Sequence, residues 1–433
     1  MSMATVCVLA LLILVITLAM GVHVGLALMF SGFVGYAMAD GFTSAINVLA
    51  VASHANATNY ALTVVPLFIL MGNYAYVSGI SGDLYESGSK WLNRLPGGLA
   101  CGTVFSCALF GAICGSGQAT AATMGTVSIP QMRKYGYNDR LSTGCVAAGG
   151  PLGFLIPPSS AMILYGAVAE ESIGSLFISG IIPGVILTIL FIITIVLWVR
   201  KDPSVAPGKY NVTWRERLHA LKGFISALIL FGVVIGGMMA GLITTNEAAG
   251  LGCFICLIFM IINGKMHGKN LLEAIKMSVK ASGMSFLVII GAGIFGYFIT
   301  VTGLPAMLST FVDGLHVSRY VILAGIVLIY IFLGCIMDVA PLIIITTPIL
   351  APIATSLGMD LVQFGIMMLL NLAVGACTPP VGLALFTGCA VGKMPMEKVM
   401  KTIMPFYIAM FAALMLVTYV PWFSLFLPNL LMG

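Results

Sequence analysis

The sequence predicts an all-α polytopic membrane protein, and three observations carry this prediction. The chain of 433 residues is 60% hydrophobic and only 8% charged, which is too much apolar surface for one soluble core to bury. Apolar runs of membrane length follow one another from Val6 onward. The first run has neither a basic start nor a cleavage site, so we expect a membrane helix and not a signal peptide. The second half of the chain also repeats the first half.

Composition argues against several other classes of function. The ten cysteines are scattered through apolar segments, as small buried residues would be, and they carry no redox pattern. Cys253 and Cys256 form a CxxC, but neither a second pair nor a nearby histidine completes a metal site. The formal charge of +5 is modest and sits in short loops, which indicates membrane orientation and not nucleic-acid binding.

The elements can be placed from the N-terminus by taking apolar runs of roughly 17 to 25 residues as membrane spans. Three helices are expected first, and an amphipathic stretch follows them. Two short apolar limbs, a long segment and a full helix complete the first half, before a charged link at 201–222. The three helices are expected near 3–20, 22–39 and 61–78, the long segment at 141–170 and the full helix at 174–199.

The two halves of the chain are copies of one unit. Pro157 corresponds to Pro379 and Gly153 to Gly375, both at an offset of 222 residues. A duplicated unit changes the fold prediction, because each motif then has a counterpart in the other copy. We predict a first repeat and a second repeat, each with a re-entrant helical hairpin and a broken helix. The first repeat spans 1–200, with its hairpin at about 97–130 and its broken helix at 141–170, and the second spans 223–433, with its hairpin at about 320–354 and its broken helix at 363–391.

Loop charges predict that the two copies have inverted topology. The first copy carries three basic residues in the loop at 131–140, whose counterpart at 353–361 has none. The loop at 391–401 carries three lysines, whereas its counterpart at 169–175 has no basic residue. Basic loops stay in the cytoplasm, and an odd number of expected crossings in each copy gives the same result. The link at 201–222 is then cytoplasmic, and both termini lie outside.

A small, polar stretch lies inside each copy between apolar flanks. GAICGSGQATAAT, at 111–123, begins and ends on the cytoplasmic side in this topology, so the chain must turn round within the membrane. A turn at that depth leaves backbone groups without helical partners, which is tolerated only where protein buries them or a cavity hydrates them. Polar side chains at the turns can meet those groups or an ion. They are Ser116, Gln118, Thr120 and Thr123 in the first copy and Asp338, Thr346 and Thr347 in the second.

The segment that follows each hairpin is interrupted. Pro157 and Pro158 lie inside one apolar span, and Pro379 and Pro380 lie inside the other. Proline removes helical hydrogen bonds and breaks the helix. Paired re-entrant hairpins and paired broken helices in inverted copies are typical of secondary transporters, whose binding site lies near the midplane where the breaks meet. Helix N-termini there offer N–H donors to an anion, and unwound carbonyls offer oxygens to Na⁺.

The energy source is expected to be an ion gradient. The chain has no GxxxxGK[ST] phosphate loop with which to hydrolyse ATP. Asp338 is the one acid expected in the core, and the chain of acids and histidines that a proton relay favours is missing from it. Sodium held by carbonyl and hydroxyl oxygens therefore fits this composition better than a proton as the coupling ion. Because no arginine or lysine is expected in the core, cotransported cations and helix N-termini would have to neutralise an anionic substrate.

Five motifs together resemble one transporter family. GSGQATAATMGTVSIPQM, AGGPLGFLIPPSSAMILYG, GLITTNEAAG, MDVAPLIIITTPILAP and TPPVGLALF look like the large membrane subunit, DctM-type, of tripartite ATP-independent periplasmic (TRAP) transporters. The similarity runs from about Gly21 to Pro405. It implies an elevator-type mechanism, in which a transport domain of hairpins and broken helices slides against a scaffold of the remaining helices. It also implies a location in a bacterial inner membrane.

The resemblance further implies partners, a coupling ion and site residues. It implies Na⁺-coupled uptake of an organic anion delivered by a periplasmic substrate-binding protein. A small four-helix membrane subunit, expected to be a separate chain, would brace the scaffold. Two sets of site residues follow from the motifs. The Na⁺ candidates are Ser116, Gly117, Thr120, Asp338, Gly375 and Thr378, and the substrate candidates are Gly150, Ser159 and Ser160.

Three other interpretations stay open beside this one. An autonomous ion-coupled anion transporter of the same inverted-repeat design would need no binding protein. An intramembrane enzyme would need a nucleophile with a base, a metal cluster or paired carboxylates at membrane depth. The sequence predicts none of these, so we do not expect an enzyme. A structural scaffold subunit would not need two symmetric breaks. The substrate stays open among C4-dicarboxylates, sialic acid, sugar acids and other carboxylates.

Overall fold

The computed structural model describes residues 2–207, 212–314, 317–380 and 382–432, and all regular structure in these ranges is helical. Seven of the described helices are long and apolar enough to cross a membrane, or eight if one bent pair is counted as a single span. Large apolar side chains lie exposed on the outer faces of these and the shorter apolar helices, such as Ile408 at 73% and Phe332 at 67%. Exposed apolar surface of this extent belongs in lipid. The prediction of an all-α multi-pass membrane protein is confirmed.

The first half of the described chain contains the following α-helices: α1 (Met3–Ala19), α2 (Val24–Asp40), α3 (Phe42–Thr58), α4 (Val64–Ser78), α5 (Ile80–Leu92), α6 (Gly98–Cys114), α7 (Gly117–Lys134), α8 (Asp139–Gly149), α9 (Leu152–Leu155), α10 (Ser160–Ala169) and α11 (Ile173–Lys201). A 3-10 turn at Tyr60–Thr63 leads into α4. The apolar runs did not predict α3, because histidine and asparagine side chains interrupt its hydrophobic sequence.

The second half contains α12 (Trp214–Phe231), α13 (Gly237–Met239), α14 (Thr245–Ile262), α15 (Gly268–Thr302), α16 (Leu304–Gly314), α17 (Arg319–Gly334), α18 (Val339–Ser356), α19 (Leu361–Cys377), α20 (Leu383–Gly392), α21 (Met396–Tyr419) and α22 (Trp422–Leu431). A π-helical turn at Gly232–Gly236 joins α12 to α13. The helix α12 begins inside the segment expected as a link, because Thr213 and Glu216 form a capping box at its start.

Each expected hairpin consists of two helices with a short break between them. In the first half, α6 and α7 are separated by Gly115 and Ser116, and α7 continues to Lys134, beyond the expected end at 130. In the second half, α17 and α18 are separated by residues 335–338. The segments that follow are α8, α9 and α10, bent by 41° at the break, and α19 and α20. The opposite orientation of the two copies stays a prediction.

Each hairpin packs against the broken helix of its own half through a pair of glycines. A methyl group added to Gly111 would lie 2.6 Å from the Gly153 Cα, and one added to Gly375 would lie 2.7 Å from the Gly334 Cα. No side chain fits at such separations, so backbone packs directly on backbone. These contacts hold the tip of each hairpin close to the break in the helix that follows it.

A second group of helices packs around α15. The helix α2 lies along α15, where methyl groups on Gly25 and Gly32 would lie 2.5 Å from the Leu287 carbonyl oxygen and 2.7 Å from the Phe295 Cα. The helix α4 packs against both α14 and α15. We refer to α2, α4, α14 and α15 as the scaffold group. It borders the hairpin tips across a cavity that is lined by three of the candidate site residues, Ser116, Ser160 and Asp338.

Candidate functional site

The first hairpin turns over two residues. Gly115 ends α6 in the left-handed conformation, with φ 65°, which glycine adopts without strain. Ser116 is extended and caps α7, since its hydroxyl oxygen accepts a hydrogen bond from the Ala119 N–H at 3.4 Å. The carbonyl and hydroxyl of Ser116 therefore lie at the tip of the hairpin, where a polar turn was expected.

The tip of the first hairpin is attached to the break in the following helix. Ser160 donates two hydrogen bonds to the Gly115 carbonyl oxygen, from its N–H at 3.1 Å and from its hydroxyl at 2.8 Å. Ser159 caps α10 and donates its hydroxyl to the Phe154 carbonyl oxygen at 2.8 Å. Ser159 is fully buried, whereas Ser160 lines the cavity described below. Of these two substrate candidates, Ser160 is the accessible one.

Four of the candidates converge behind this tip. Thr120 is fully buried, and its Oγ1 has no hydrogen-bond partner among the described residues. A methyl group on Gly153 would lie 2.5 Å from the Thr120 Oγ1 and 2.8 Å from the Ser116 carbonyl oxygen. A methyl group on Gly150 would lie 2.9 Å from the Gly117 carbonyl oxygen. Gly150, just after α8, and Gly153, in α9, thus pack closely against three oxygen atoms of the hairpin.

Asp338 occupies the tip of the second hairpin and reaches the first one. Its carboxylate caps α18, where Oδ1 accepts a hydrogen bond from the Val339 N–H at 2.7 Å. The same oxygen accepts a hydrogen bond from the Gln118 Nε2 at 3.0 Å. Its other oxygen, Oδ2, has no hydrogen-bond partner within the described ranges. The structure therefore joins the two tips and leaves one carboxylate oxygen available to a cation.

The remaining two Na⁺ candidates lie at the second break. Gly375 packs on Gly334 of the second hairpin. The Thr378 hydroxyl donates to the Val374 carbonyl oxygen at 2.7 Å, and the hydroxyl oxygen keeps its acceptor lone pairs. No hydrogen bond connects either residue to Asp338 in the described part of the chain. The three residues are assembled by the packing of α17 and α18 on α19.

A cavity of about 610 Å³ lies between the hairpin tips and the scaffold group. The tips contribute Ser116 and Asp338, and the first break contributes Ser160. The scaffold group contributes apolar side chains together with the polar residues His23, Asn73 and Ser285. The described residues that line the cavity include no lysine or arginine. The volume suits a small organic molecule.

Sequence reasoning missed several polar residues of this region, among them His23 and Asn371. His23 was not singled out, because it lies at the start of α2, far along the chain from either hairpin. Asn371 was also overlooked, although it precedes the repeated glycine and proline motif. Its side chain is fully buried and its Oδ1 has no partner among the described residues. A buried amide inside an apolar span was the signal that could have identified Asn371.

Comparisons with known proteins agree with this architecture. The family model for the DctM component of tripartite ATP-independent periplasmic transporters matches residues 11–423. The uncharacterized protein YgiK of Salmonella typhimurium is 33% identical over 96% of this chain and 95% of its own length. The C4-dicarboxylate TRAP transporter large permease protein DctM of Pseudomonas aeruginosa is 31% identical over 89% and 90% of the two chains. The sialic acid TRAP transporter large permease protein SiaM of Vibrio cholerae is 30% identical over 95% of this chain and 96% of its own length.

A solved structure shares the fold at much lower sequence identity. The Alcanivorax borkumensis YdaH transporter superimposes with a TM-score of 0.62, covers 89% of both chains and is 15% identical. At this identity the likeness shows the fold alone. The family model, in contrast, matches nearly the whole chain, in agreement with the five sequence motifs. The chain therefore belongs to the DctM family, as the large permease subunit of a TRAP secondary transporter, a multi-pass protein of the bacterial inner membrane and not an enzyme.

Proposed function

We propose that this permease imports an organic anion, a carboxylate, together with Na⁺, by an elevator-type movement of its hairpins and broken helices. The observation that carries the proposal is the chemistry of the cavity at the hairpin tips. Its described lining contains hydroxyl, carbonyl and carboxylate oxygens and no lysine or arginine. An anion in such a cavity needs a bound cation beside it to offset its charge.

Two oxygen atoms support the assignment of Na⁺ as that cation. The Thr120 Oγ1 is buried without a partner among the described residues, and a buried hydroxyl in that condition costs about 1–3 kcal/mol. A cation held between Thr120 and the carbonyl oxygens of Ser116 and Gly117 would remove this cost. The Asp338 Oδ2 is the second free acceptor. Gly375 and Thr378 would contribute carbonyl oxygens, which coordinate Na⁺ in broken helices of this kind.

The substrate is proposed to lie in the cavity against the first break. Ser160 and Ser116 present hydroxyl groups there, while Ser159 and Gly150 support the break from behind. Relatives named for C4-dicarboxylates and for sialic acid favour a carboxylate. Coupling to Na⁺ would also use the membrane potential, since each net positive charge carried inward gains about 2.3 kcal/mol per 100 mV.

The proposal includes two protein partners. The family is one component of a tripartite system, and we propose a periplasmic substrate-binding protein and a separate small four-helix membrane subunit as the other two. The binding protein would deliver the anion to the cavity. The small subunit would brace the scaffold group and so keep it fixed while the hairpins move.

Uptake in proteoliposomes tests the proposal. The vesicles contain the permease and its small subunit, and the probes are labelled succinate, N-acetylneuraminate and gluconate. We expect uptake of one of them only with an inward Na⁺ gradient and the binding protein. Uptake with Na⁺ but without the binding protein would identify an autonomous transporter. Uptake that does not depend on Na⁺ would refute the coupling.

A pair of matched variants tests the ion site in the same vesicles. Asp338→Asn removes the carboxylate charge while keeping the hydrogen bond from the Val339 N–H. We expect it to raise the half-saturating Na⁺ concentration by roughly tenfold or more, as for the loss of a contact worth about 1.4 kcal/mol. Asp360→Asn is the control, because Asp360 also caps a helix, α19, but does not line the cavity. Equal Na⁺ dependence of uptake in the two variants would show that Asp338 is not a ligand of the ion.

A further inference from the structure

We propose that His23 binds the transported anion from the scaffold side of the cavity, with its Nε2–H group donating a hydrogen bond to the substrate carboxylate. The inference rests on the proposed function and adds a specificity-determining residue to it. His23 lies at the start of α2 and lines the cavity together with Val22 and Val24. The same cavity is lined by Ser116 and Asp338 of the two hairpin tips.

The hydrogen bonding of His23 determines which ring nitrogen can serve the substrate. His23 caps α2, since its Nδ1 accepts a hydrogen bond from the Gly25 N–H at 3.3 Å. A neutral imidazole that accepts at Nδ1 carries its proton on Nε2. The Nε2 has no hydrogen-bond partner in the described part of the chain. The ring is therefore fixed at one nitrogen and presents a free donor at the other.

Most other side-chain donors around the cavity are already committed to the protein. The Ser285 hydroxyl donates to the Ala281 carbonyl oxygen at 3.0 Å, and the Ser160 hydroxyl donates to Gly115. The Asn73 Nδ2 donates to the Ser278 hydroxyl at 2.9 Å, which leaves it one N–H. His23 is thus the described scaffold residue whose side-chain donor is wholly free. An anion gains most from a donor that gives up no bond to reach it.

The position of His23 also implies when the contact forms. His23 belongs to the scaffold group, while Ser116 and Asp338 belong to the hairpins. A carboxylate bound between them touches both parts of the protein at once. If the hairpins slide along the scaffold, the bond to His23 exists at only one end of that movement. His23 would then set the affinity of this one state and leave the Na⁺ sites unchanged.

Two variants separate the donor from the helix cap. His23→Asn keeps an acceptor where Nδ1 lies, so α2 stays capped, but it loses the Nε2–H donor. His23→Gln gives up the cap and places an amide N–H close to the position of Nε2. Both are measured in proteoliposomes with the small subunit and binding protein, with labelled succinate, N-acetylneuraminate and gluconate. The readouts are the KM of uptake, its Vmax and the half-saturating Na⁺ concentration.

We expect His23→Asn to raise the KM by about tenfold, which is the size of effect of one hydrogen bond to a charged group. His23→Gln should stay close to the wild type in KM, and both variants should keep the wild-type Na⁺ dependence. An unchanged KM in His23→Asn would overturn the inference. A raised KM in His23→Gln alone would overturn it too, because the cap would then be what matters. Failure of the wild type to take up any of the three acids with Na⁺ would instead refute the proposed function.

Discussion

Replacement of Thr120 by valine should make the Na⁺-free protein more stable and the transporter less sensitive to Na⁺. Thr120 is fully buried, and its Oγ1 has no partner among the described residues. Valine substitutes a methyl group for that hydroxyl with nearly the same shape. Since a buried hydroxyl without a partner costs about 1–3 kcal/mol, Thr120→Val should gain about that much stability when Na⁺ is absent.

Added Na⁺, in contrast, should stabilise the wild type more than it stabilises Thr120→Val. A ligand present at a hundred times its dissociation constant stabilises the protein that binds it by about 2.7 kcal/mol. The wild type should therefore melt at a higher temperature in NaCl than in choline chloride. Thr120→Val lacks one of the proposed ion ligands and should show a smaller increase. In uptake, its half-saturating Na⁺ concentration should rise by roughly tenfold, equivalent to the loss of about 1.4 kcal/mol.

Ser128→Ala supplies the control for this experiment. Ser128 lies further along α7, and its hydroxyl is also buried without a partner in the described chain, but it does not line the cavity. This variant should gain stability in choline chloride and keep the full increase with Na⁺. The reasoning is refuted if Thr120→Val melts below the wild type in choline chloride and retains the wild-type increase in NaCl.

Three further predictions test other parts of the site and fold. Gln118→Ala removes one hydrogen bond to the carboxylate at the tip of the second hairpin and should raise the half-saturating Na⁺ concentration in uptake by roughly tenfold, because a hydrogen bond to a charged group contributes about 1.5–3 kcal/mol. Gly375→Ala should abolish uptake, because its methyl group would collide with backbone, whereas Gly250→Ala meets nothing within 4 Å and should be tolerated. Normal uptake by Gly375→Ala would contradict the packing. A cysteine at position 172 should be labelled from outside and one at position 394 from inside, and labelling of both from the same side would exclude inverted copies.

The elements that the sequence predicted well are those whose signal is local. The turn at Gly115 and Ser116 was anticipated because small and polar residues interrupt apolar sequence there. The breaks at 157–158 and 379–380 were anticipated because paired prolines cannot continue a helix. In contrast, α3 was missed, since its polar side chains hide a helix that packs on α2 and α15. Hydropathy alone does not report such packing.

The candidate site was predicted only in part, because contacts between distant segments leave no mark in a single sequence. The motifs identified Asp338, but they did not show that its partner would be Gln118 of the other copy. They placed Ser159 and Ser160 together, whereas the fold buries Ser159 and leaves Ser160 lining the cavity. His23 lies on a helix that no motif connects to the hairpins. Its role follows only from the way α2 packs along α15.

The hydrogen bond between Gln118 and Asp338 joins residues that are 220 positions apart in the chain. The Asp338 Oδ1 thus accepts a hydrogen bond from the opposite repeat, and we refer to this hydrogen bond as the bridge. The proposed Na⁺ sites lie on both sides of it. An ion bound at the free Oδ2 of Asp338 is therefore held by a carboxylate that the first hairpin helps to position through Oδ1. Two binding events linked in this way share one coupling free energy, so binding of one ion changes the affinity for the other, and the reverse holds by the same factor. The expected signature is a sigmoidal dependence of uptake on Na⁺, with a Hill coefficient above one that falls towards one when the bridge is removed.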